Sequence, residues 1–475
     1  MMGTTPADSS FVPATIADVP NAALGSEPAA ASMAERPSLG RLLIFSAPAA
    51  GQGFMFNFVS MYLLFYSTEK LGVAPAVMGL IFLLSRVWDG ISDPIAGYLS
   101  DRTQTRIGRR RPWLIAGAIP VGVTFYLMLN PPASLVAGSL ELSLWMGAAV
   151  ILFYTGMTVF SMPHDALAAE LSTRYEERNR IFGIRRIVHG IGSLGMFPLI
   201  YYIPKVEDSR ALVSEVSIAV AVLTALCMLG TGFFMRERLE YQGRGSENPF
   251  RVWLEVYRNP HARVLMGVFF VQQLGIGAVS ATAVYYAKYV LGDEGMLAPL
   301  MGGLFVCAIL SVRVWVAFGR RYDKKTLINV AMWGVGAAFF AMGFLGEGDL
   351  VPLCIVASMA GVAIGCLDVM FPSLQADVID YDELKSGERK EGVYFAVWHF
   401  AQKTSSGISL LFVGVILSLV GLEADVEQTE TAKLGIRSLM SGIPLVTYGT
   451  GIFLFRRFSL TRETHAQIRR ELDAR

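Results

Sequence analysis

Twelve stretches of mostly apolar residues, each long enough to cross a hydrocarbon layer, leave this chain little choice of fold. A bilayer core about 30 Å thick takes roughly 20 residues of helix, and a helix satisfies its backbone hydrogen bonds internally. The stretches fall at roughly 41–67, 75–100, 112–130, 141–169, 180–204 and 211–235. After a polar interval they resume at roughly 262–289, 297–318, 326–346, 350–376, 392–421 and 435–457. Of the 475 residues 53% are hydrophobic and only 17% charged, too apolar a balance for a soluble chain of this length. The pattern predicts an all-α membrane protein of twelve transmembrane helices in two six-helix halves, 41–235 and 262–457. Residues 1–40, rich in Ala, Pro and Ser, read as a disordered tail, and 458–475 as a short cytoplasmic tail.

Basic residues set the orientation, because loops that stay in the cytoplasm are enriched in Lys and Arg. One alternate set of loops carries Arg102, Arg106 and Arg109 to Arg111, then Arg174, Arg178 and Arg180, then Arg320, Arg321, Lys324 and Lys325, and then Lys385, Arg389 and Lys390. The linker 236–261 belongs to the same set, with Arg236, Arg238, Arg244, Arg251 and Arg258. The opposite loops and the helix ends beside them hold little beyond Lys70, Lys205, Arg210, Lys288, Lys433 and Arg437. Both tails are therefore expected in the cytoplasm, with the chain in the inner, cell membrane. Within the linker, 249–257 has apolar residues that suit either a membrane-surface helix or a plain connection. Two six-helix halves joined by a cytoplasmic linker resemble the major facilitator superfamily, in which a solute site lies between the halves near the midplane.

Net charge is +1, so no basic excess marks a nucleic-acid partner. No GxxxxGK[ST] loop and no zinc-ligand spacing is present, and the glycines of 190–195 sit in an apolar helix as close helix contacts. Cys227, Cys307, Cys354 and Cys366 lie in apolar runs and read as small buried hydrophobes. These features argue against an enzyme and against a cofactor.

The charges inside the spans carry the function. An ionisable side chain at the centre of a membrane helix costs about 2.5–3.5 kcal/mol on insertion scales, so its presence calls for a partner or a task. Span 2 holds Arg86, Asp89 and Asp93 at i, i+3 and i+7, on one helical face. Two carboxylates a turn apart can hold a monovalent cation by hard oxygens, giving a Na+ site at Asp89 and Asp93, or they can share a proton. The same spacing also suits a static ion pair with Arg86. Coupling is the reading adopted, since a buried pair is weak evidence for stability in its own right. Span 4 adds Thr158, Ser161, His164 and Asp165, and span 5 adds Arg185, Arg186 and His189. Asp368 lies in span 10 and Lys403 in span 11, so all of these could line one polar cavity. His164 reads as a hydrogen-bonded packing residue.

The run from Arg86 through Asp89, Asp93 and Pro94 to Asp101, followed by Arg106-Ile-Gly-Arg-Arg-Arg-Pro-Trp113, resembles the signature of the glycoside-pentoside-hexuronide:cation symporters, the melibiose permease family. So do Ala376-Asp-Val-Ile-Asp-Tyr-Asp-Glu-Leu-Lys385, Arg389-Lys-Glu-Gly392 and Gln402-Lys403. The similarity runs from about Ser46 to about Phe455. The resemblance implies that Asp89, Asp93 and Thr158 are cation ligands, that Arg186 and Lys403 work in or beside the sugar site, and that Arg178 pairs with Asp377 and Asp380 to close the cytoplasmic side. The chain departs from the permease where that protein has a Lys-Asp pair, here Gln52-Gly53. It departs again where the permease has a span 4 aspartate, here Ser161, and tryptophans, here Asp165 and Asp368. The solute site is thus expected from Gln52, Ser161, Asp165, Arg186, Asp368 and Lys403, rebuilt with a different polarity.

The resulting expectation is a secondary active transporter, monomeric in the bilayer, that couples Na+ or H+ to symport of a sugar or glycoside-like polar solute by alternating access. The alternatives are a carrier of lysophospholipids or other amphiphiles on the same fold, and a non-transporting membrane sensor.

Overall fold

A computed structural model describes residues 38–171, 175–235, 237, 256–387 and 391–474. The described residues form twelve long apolar helices and no strand. Span α1, Leu39–Met61, is interrupted at Ala47 and continued by a short helix, Leu63–Glu69. The first six-helix group is completed by α2 (Pro75–Arg102), α3 (Arg111–Leu129), α4 (Leu140–Glu170), α5 (Tyr175–Tyr202) and α6 (Ser209–Phe234). There follow α7 (Pro260–Tyr289), α8 (Leu297–Gly319), α9 (Lys324–Met342), α10 (Leu350–Ser386), α11 (Glu391–Leu419) and α12 (Glu430–Phe455).

Local sequence sets the helix ends. Pro75 and Pro260 occupy first-turn positions, where a missing N–H costs nothing. Asn259 caps α7 by accepting from the amides of His261 and Ala262, and Ser139 and Thr429 cap α4 and α12 in the same way. Gly387, at φ 74°, stops α10 in the left-handed conformation that a Cβ would penalise.

Packing repeats with an offset of six. In the first group α1 packs on α5 and α6, α2 on α4, and α3 on α4 and α6; in the second α7 packs on α11 and α12, α8 on α10, and α9 on α10 and α12. The groups meet chiefly through α2 against α11, with α5 on α8 and α1 on α7 beside it. Small residues allow these approaches, as is usual where apolar burial gives helices no drive to associate. A Cβ at Gly414 would lie 2.2 Å from the Pro75 carbonyl oxygen, and one at Gly79 2.8 Å from that of Leu410. Gly192 is likewise pressed on the Ala50 carbonyl, the close contact expected in the 190–195 run.

Three differences from the sequence reading have physical causes. Span α10 runs to Ser386 rather than ending near 376, because its last turns are charged yet still good helix formers. The tail 458–475 contains a helix, α13 (Arg462–Asp473), capped by Thr461 and seated on the end of α10 with Ile468 buried. Cys354, expected to be buried, is exposed on the apolar outer surface of α10, while Cys366 is buried. Most of the amphipathic linker piece, 249–255, lies outside the described residues.

Candidate functional site

The polar residues of α4 form a stripe. Tyr154, Thr158, Ser161 and Asp165 recur at i, i+4, i+7 and i+11, the spacing of one helix face, and each meets a partner on another helix. Tyr154 takes an Arg86 N–H on its hydroxyl at 2.5 Å, with the guanidinium also 4.1 Å from its ring centroid. Thr158 donates to Asp93 Oδ1 at 2.7 Å. Ser161 accepts from Gln52 Nε2 at 2.9 Å, joining α4 to α1. Asp165 is paired with Arg185 of α5.

Span α2 supplies the centre. Arg86 and Asp89 are almost wholly buried and joined at 3.2 Å, while Asp93 keeps one fifth of its side chain accessible. Lys403 reaches across from α11, with its ammonium 2.5 Å from Asp93 Oδ2 and 3.5 Å from Asp89 Oδ2. Two aspartates of the first group thus share a lysine of the second. Asp89 Oδ1 is buried with no hydrogen-bond partner, and so is the Ser92 hydroxyl one turn further on. Pro94, inside the helix beside Asp93, removes an amide and weakens the local ladder at the height of the carboxylates. Among the described residues no three His, Cys, Asp or Glu side chains gather as a metal-ion cluster. The oxygens that could hold a monovalent cation are those of Asp89, Asp93, Thr158 and Ser92.

Arg186 of α5 is exposed and within electrostatic reach of Asp368 on α10, also exposed. His399 of α11 lies within reach of Asp93, Asp165, Arg185 and Lys403. His164 is fully buried, stacked 4.3 Å from Phe45 and accepted by the Phe45 carbonyl at 2.9 Å, a packing residue as expected.

The two ends of the bundle differ. At the end bearing the 1–2, 7–8 and 11–12 connections, Glu69 is fully buried and bonded to Lys288 at 2.6 Å, to the Tyr289 hydroxyl at 2.6 Å and to the Asp425 amide at 3.0 Å. Lys288 also holds Asp425 at 2.6 Å, and Tyr62 donates to Glu294 at 2.7 Å. These contacts tie the short helix after α1 to α7, to the turn before α8 and to the 11–12 connection. Burial disfavours the Asp425 carboxylate, but the hydrogen bond and charge of Lys288 outweigh it and hold the carboxyl below its ordinary range. At the opposite end Asp377 is bonded to Lys324 at 2.6 Å and Asp380 lies 3.0 Å from His465 of α13, with Arg469 at 3.5 Å. The side chain of Arg178, their expected partner, lies outside the described residues.

The sequence-predicted residues thus gather as two groups, Asp89, Asp93, Thr158 and Lys403 in one and Gln52 with Ser161 in another, with Asp165 on Arg185 and Arg186 within electrostatic reach of Asp368. The sequence reading missed Tyr154, Ser92 and His399, and the whole Glu69 cluster. Tyr154 and Ser92 were available from helical spacing; the Glu69 cluster was not.

Comparison with known proteins places this geometry in context. The family model described as MFS/sugar transport protein matches residues 44–462. The uncharacterized symporter YjmB of Bacillus subtilis is 28% identical, over 92% of this chain and 96% of its own length. The isoprimeverose transporter of Lactiplantibacillus pentosus is 26% identical over 83% of each chain. The sodium-dependent lysophosphatidylcholine symporter 1 of Mus musculus is 25% identical over 88% of this chain and 84% of its own. Among solved structures, that of the nucleoside transporter NupG superposes with a TM-score of 0.64 at 10% identity, covering 87% of this chain and all of that one, a likeness of fold alone.

Proposed function

The chain belongs to the MFS/sugar transport protein family, in the glycoside-pentoside-hexuronide:cation branch of the major facilitator superfamily, and from that premise we propose that it carries a sugar or glycoside-like solute together with Na+ or H+. It is a multi-pass membrane transporter and not an enzyme. The observation that carries the proposal is the Lys403 ammonium seated on Asp93 and Asp89 across the interface of the two groups. A cation arriving at those carboxylates competes with the ammonium for the same oxygens. Once displaced, Lys403 no longer ties α11 to α2, and the interface is free to move. Symport follows when cation and solute must both be bound before the groups rock past each other.

In this reading the Glu69 end faces outward and is shut, while the end bearing both tails faces the cytoplasm. The cycle's other conformer closes the cytoplasmic end through Arg178 with Asp377 and Asp380. The solute binds among Gln52, Ser161, Asp165, Arg186 and Asp368. Two of the three cations are paired with a carboxylate, Arg185 with Asp165 and Lys403 with Asp93, and Arg186 lies within electrostatic reach of Asp368. The internal match supports a neutral polyol over an acidic sugar. The relative named for lysophosphatidylcholine supports a second reading, an amphiphile carrier; the polar stripe of α4 weighs against it. Uptake by proteoliposomes with and without a Na+ or pH gradient tests the proposal. Uptake that ignores both gradients would sink it.

A further inference from the structure

Arg86 stands one turn before Asp89 on the same helix, where a planar guanidinium can close both of its arms on a carboxylate. It does not. Nη1 alone reaches Asp89, at 3.2 Å to Oδ2, while Nη2 makes the shorter bond of 2.5 Å to the Tyr154 hydroxyl. A bond from a cation to a carboxylate is ordinarily the shorter of the two, because both partners are charged. The order is reversed here, and the guanidinium also lies over the phenol ring, its Cζ 4.1 Å from the ring centroid, a cation–π contact that adds to the hydroxyl bond. Tyr154 is itself 1% exposed and packed between Phe56 and Phe153, so its hydroxyl has a fixed position. Asp89 Oδ1 stays buried and unpartnered, and so does the hydroxyl of Ser92 one turn further along the helix.

We propose that Tyr154 is a positioning residue for ion coupling: by holding one arm of Arg86 it prevents a two-pronged Arg86–Asp89 pair and keeps Asp89 Oδ1 free for a monovalent cation. The inference rests on the cation reading of Asp89 and Asp93 given above. Tyr154 touches neither cation nor solute; it acts through Arg86. Loss of its hydroxyl lets Nη2 swing to Oδ1, and a cation must then compete with a guanidinium for that oxygen.

The test is a titration of the full chain in nanodiscs, reading the shift of melting temperature against NaCl at fixed pH and against pH without sodium. Wild type should respond in one arm, which also separates sodium from proton as the ion, and Asp93→Asn should abolish the response. Tyr154→Phe keeps the ring and its packing, and should raise the half-saturating cation concentration at least tenfold. Solute affinity measured at saturating cation should stay within twofold. In an Arg86→Lys background, where a single ammonium cannot span both oxygens, Tyr154→Phe should change the midpoint less than twofold. A purely structural role would lower the melting temperature of Tyr154→Phe without moving the cation midpoint, and that result overturns the proposal. So does an equal tenfold shift in the Arg86→Lys background. If wild type answers neither cation, the coupling reading fails and this inference with it; if Asp93→Asn is silent and Tyr154→Phe titrates like wild type, only this inference fails.

Discussion

Lys403 of α11 and Asp93 of α2 meet at 2.5 Å across the interface of the two helix groups, and the other Asp93 oxygen accepts from Thr158 at 2.7 Å. The carboxylate is thus fully engaged, yet by a partner on a helix that must move relative to it. Replacing Asp93 by Asn leaves the amide able to bond Thr158 but removes the charge that holds Lys403. Gradient-driven accumulation should disappear, while the chain stays folded. Because both side chains keep some exposure, the cost to stability should be modest, about 1–2 kcal/mol rather than the value for a fully buried pair. Uptake in proteoliposomes beside a thermal melt checks both, and a mutant that still concentrates solute would remove the coupling role.

The Glu69 cluster ties the first helix group to the second at one end, the end that the proposed cycle holds shut. Glu69 has no exposed side-chain area and bonds α7 and the 11–12 connection at once, so its charge belongs to the closed arrangement. Glu69→Gln keeps the shape and deletes the charge, and losing a charge-assisted buried bond is worth about 1.5–3 kcal/mol. The closed population at that end should fall by a factor of about 10–100. Reactivity of single cysteines placed on each mouth measures it, and Lys288→Gln should have a similar, non-additive effect. Additive shifts would mean that the two side chains are not one lock.

The same cluster has a defined response to acid. Asp425 has its carboxyl depressed below the ordinary value of about 3.9 by the bond and charge of Lys288, which outweigh burial. A depressed carboxyl contributes its stabilisation above the ordinary value, and loses it as pH falls through the lower, native one. The closed end should therefore be indifferent to Asp425 between pH 7 and about pH 5, and begin to loosen only below the usual carboxylate range. Cysteine accessibility followed against external pH reads this directly; opening near neutrality that vanishes in Asp425→Asn would contradict it. Asp425 also has the single positive φ of a non-glycine residue among those described, 53°, and that turn aims its amide at Glu69.

How far the sequence could foresee this follows from what each contact depends on. The spans were legible because bilayer thickness dictates a length, and the Arg86, Asp89 and Asp93 face because 3.6 residues per turn dictates a spacing. Residues charged inside a span announce themselves. Tyr154 did not, though it stands one turn from Thr158 on the same face, since a tyrosine in an apolar helix also suits the core, and helical spacing alone does not separate the two. Glu69 and Lys288 are 219 positions apart and sit at helix ends, where charge is ordinary. The last turns of α10 were cut short for the same reason: hydropathy ends there, helix propensity does not.

At the end bearing both tails Asp377 and Asp380 are engaged by Lys324, by His465 and by Arg469. In the proposed cycle Arg178 of the other half pairs with them to close that end. Arg178→Ala and Asp380→Ala should each slow transport by about tenfold, and the double mutant no more than either alone. A double-mutant cycle on the transport rate decides it. Full additivity would assign the closure to other residues.

The solute is the last step, and the charges of the cavity bear on it. Arg185 is paired with Asp165, Lys403 is held by Asp93, and Arg186 lies within electrostatic reach of Asp368, so a substrate carboxylate competes with internal ones for a charge-assisted bond. A neutral glycoside faces no such exchange. Its hydroxyls can donate to Asp165 and Asp368, accept from Arg186, and meet the Gln52–Ser161 pair, which offers both roles. Uptake should therefore be inhibited by neutral glycosides at least tenfold more strongly than by the matching uronates. Asp368→Asn should narrow that preference, because it frees Arg186 to take a carboxylate. Competition by the two panels in proteoliposomes measures the ratio. Inhibition by uronates alone would reverse the assignment, and inhibition only by lysolipids would move the solute from sugars to amphiphiles.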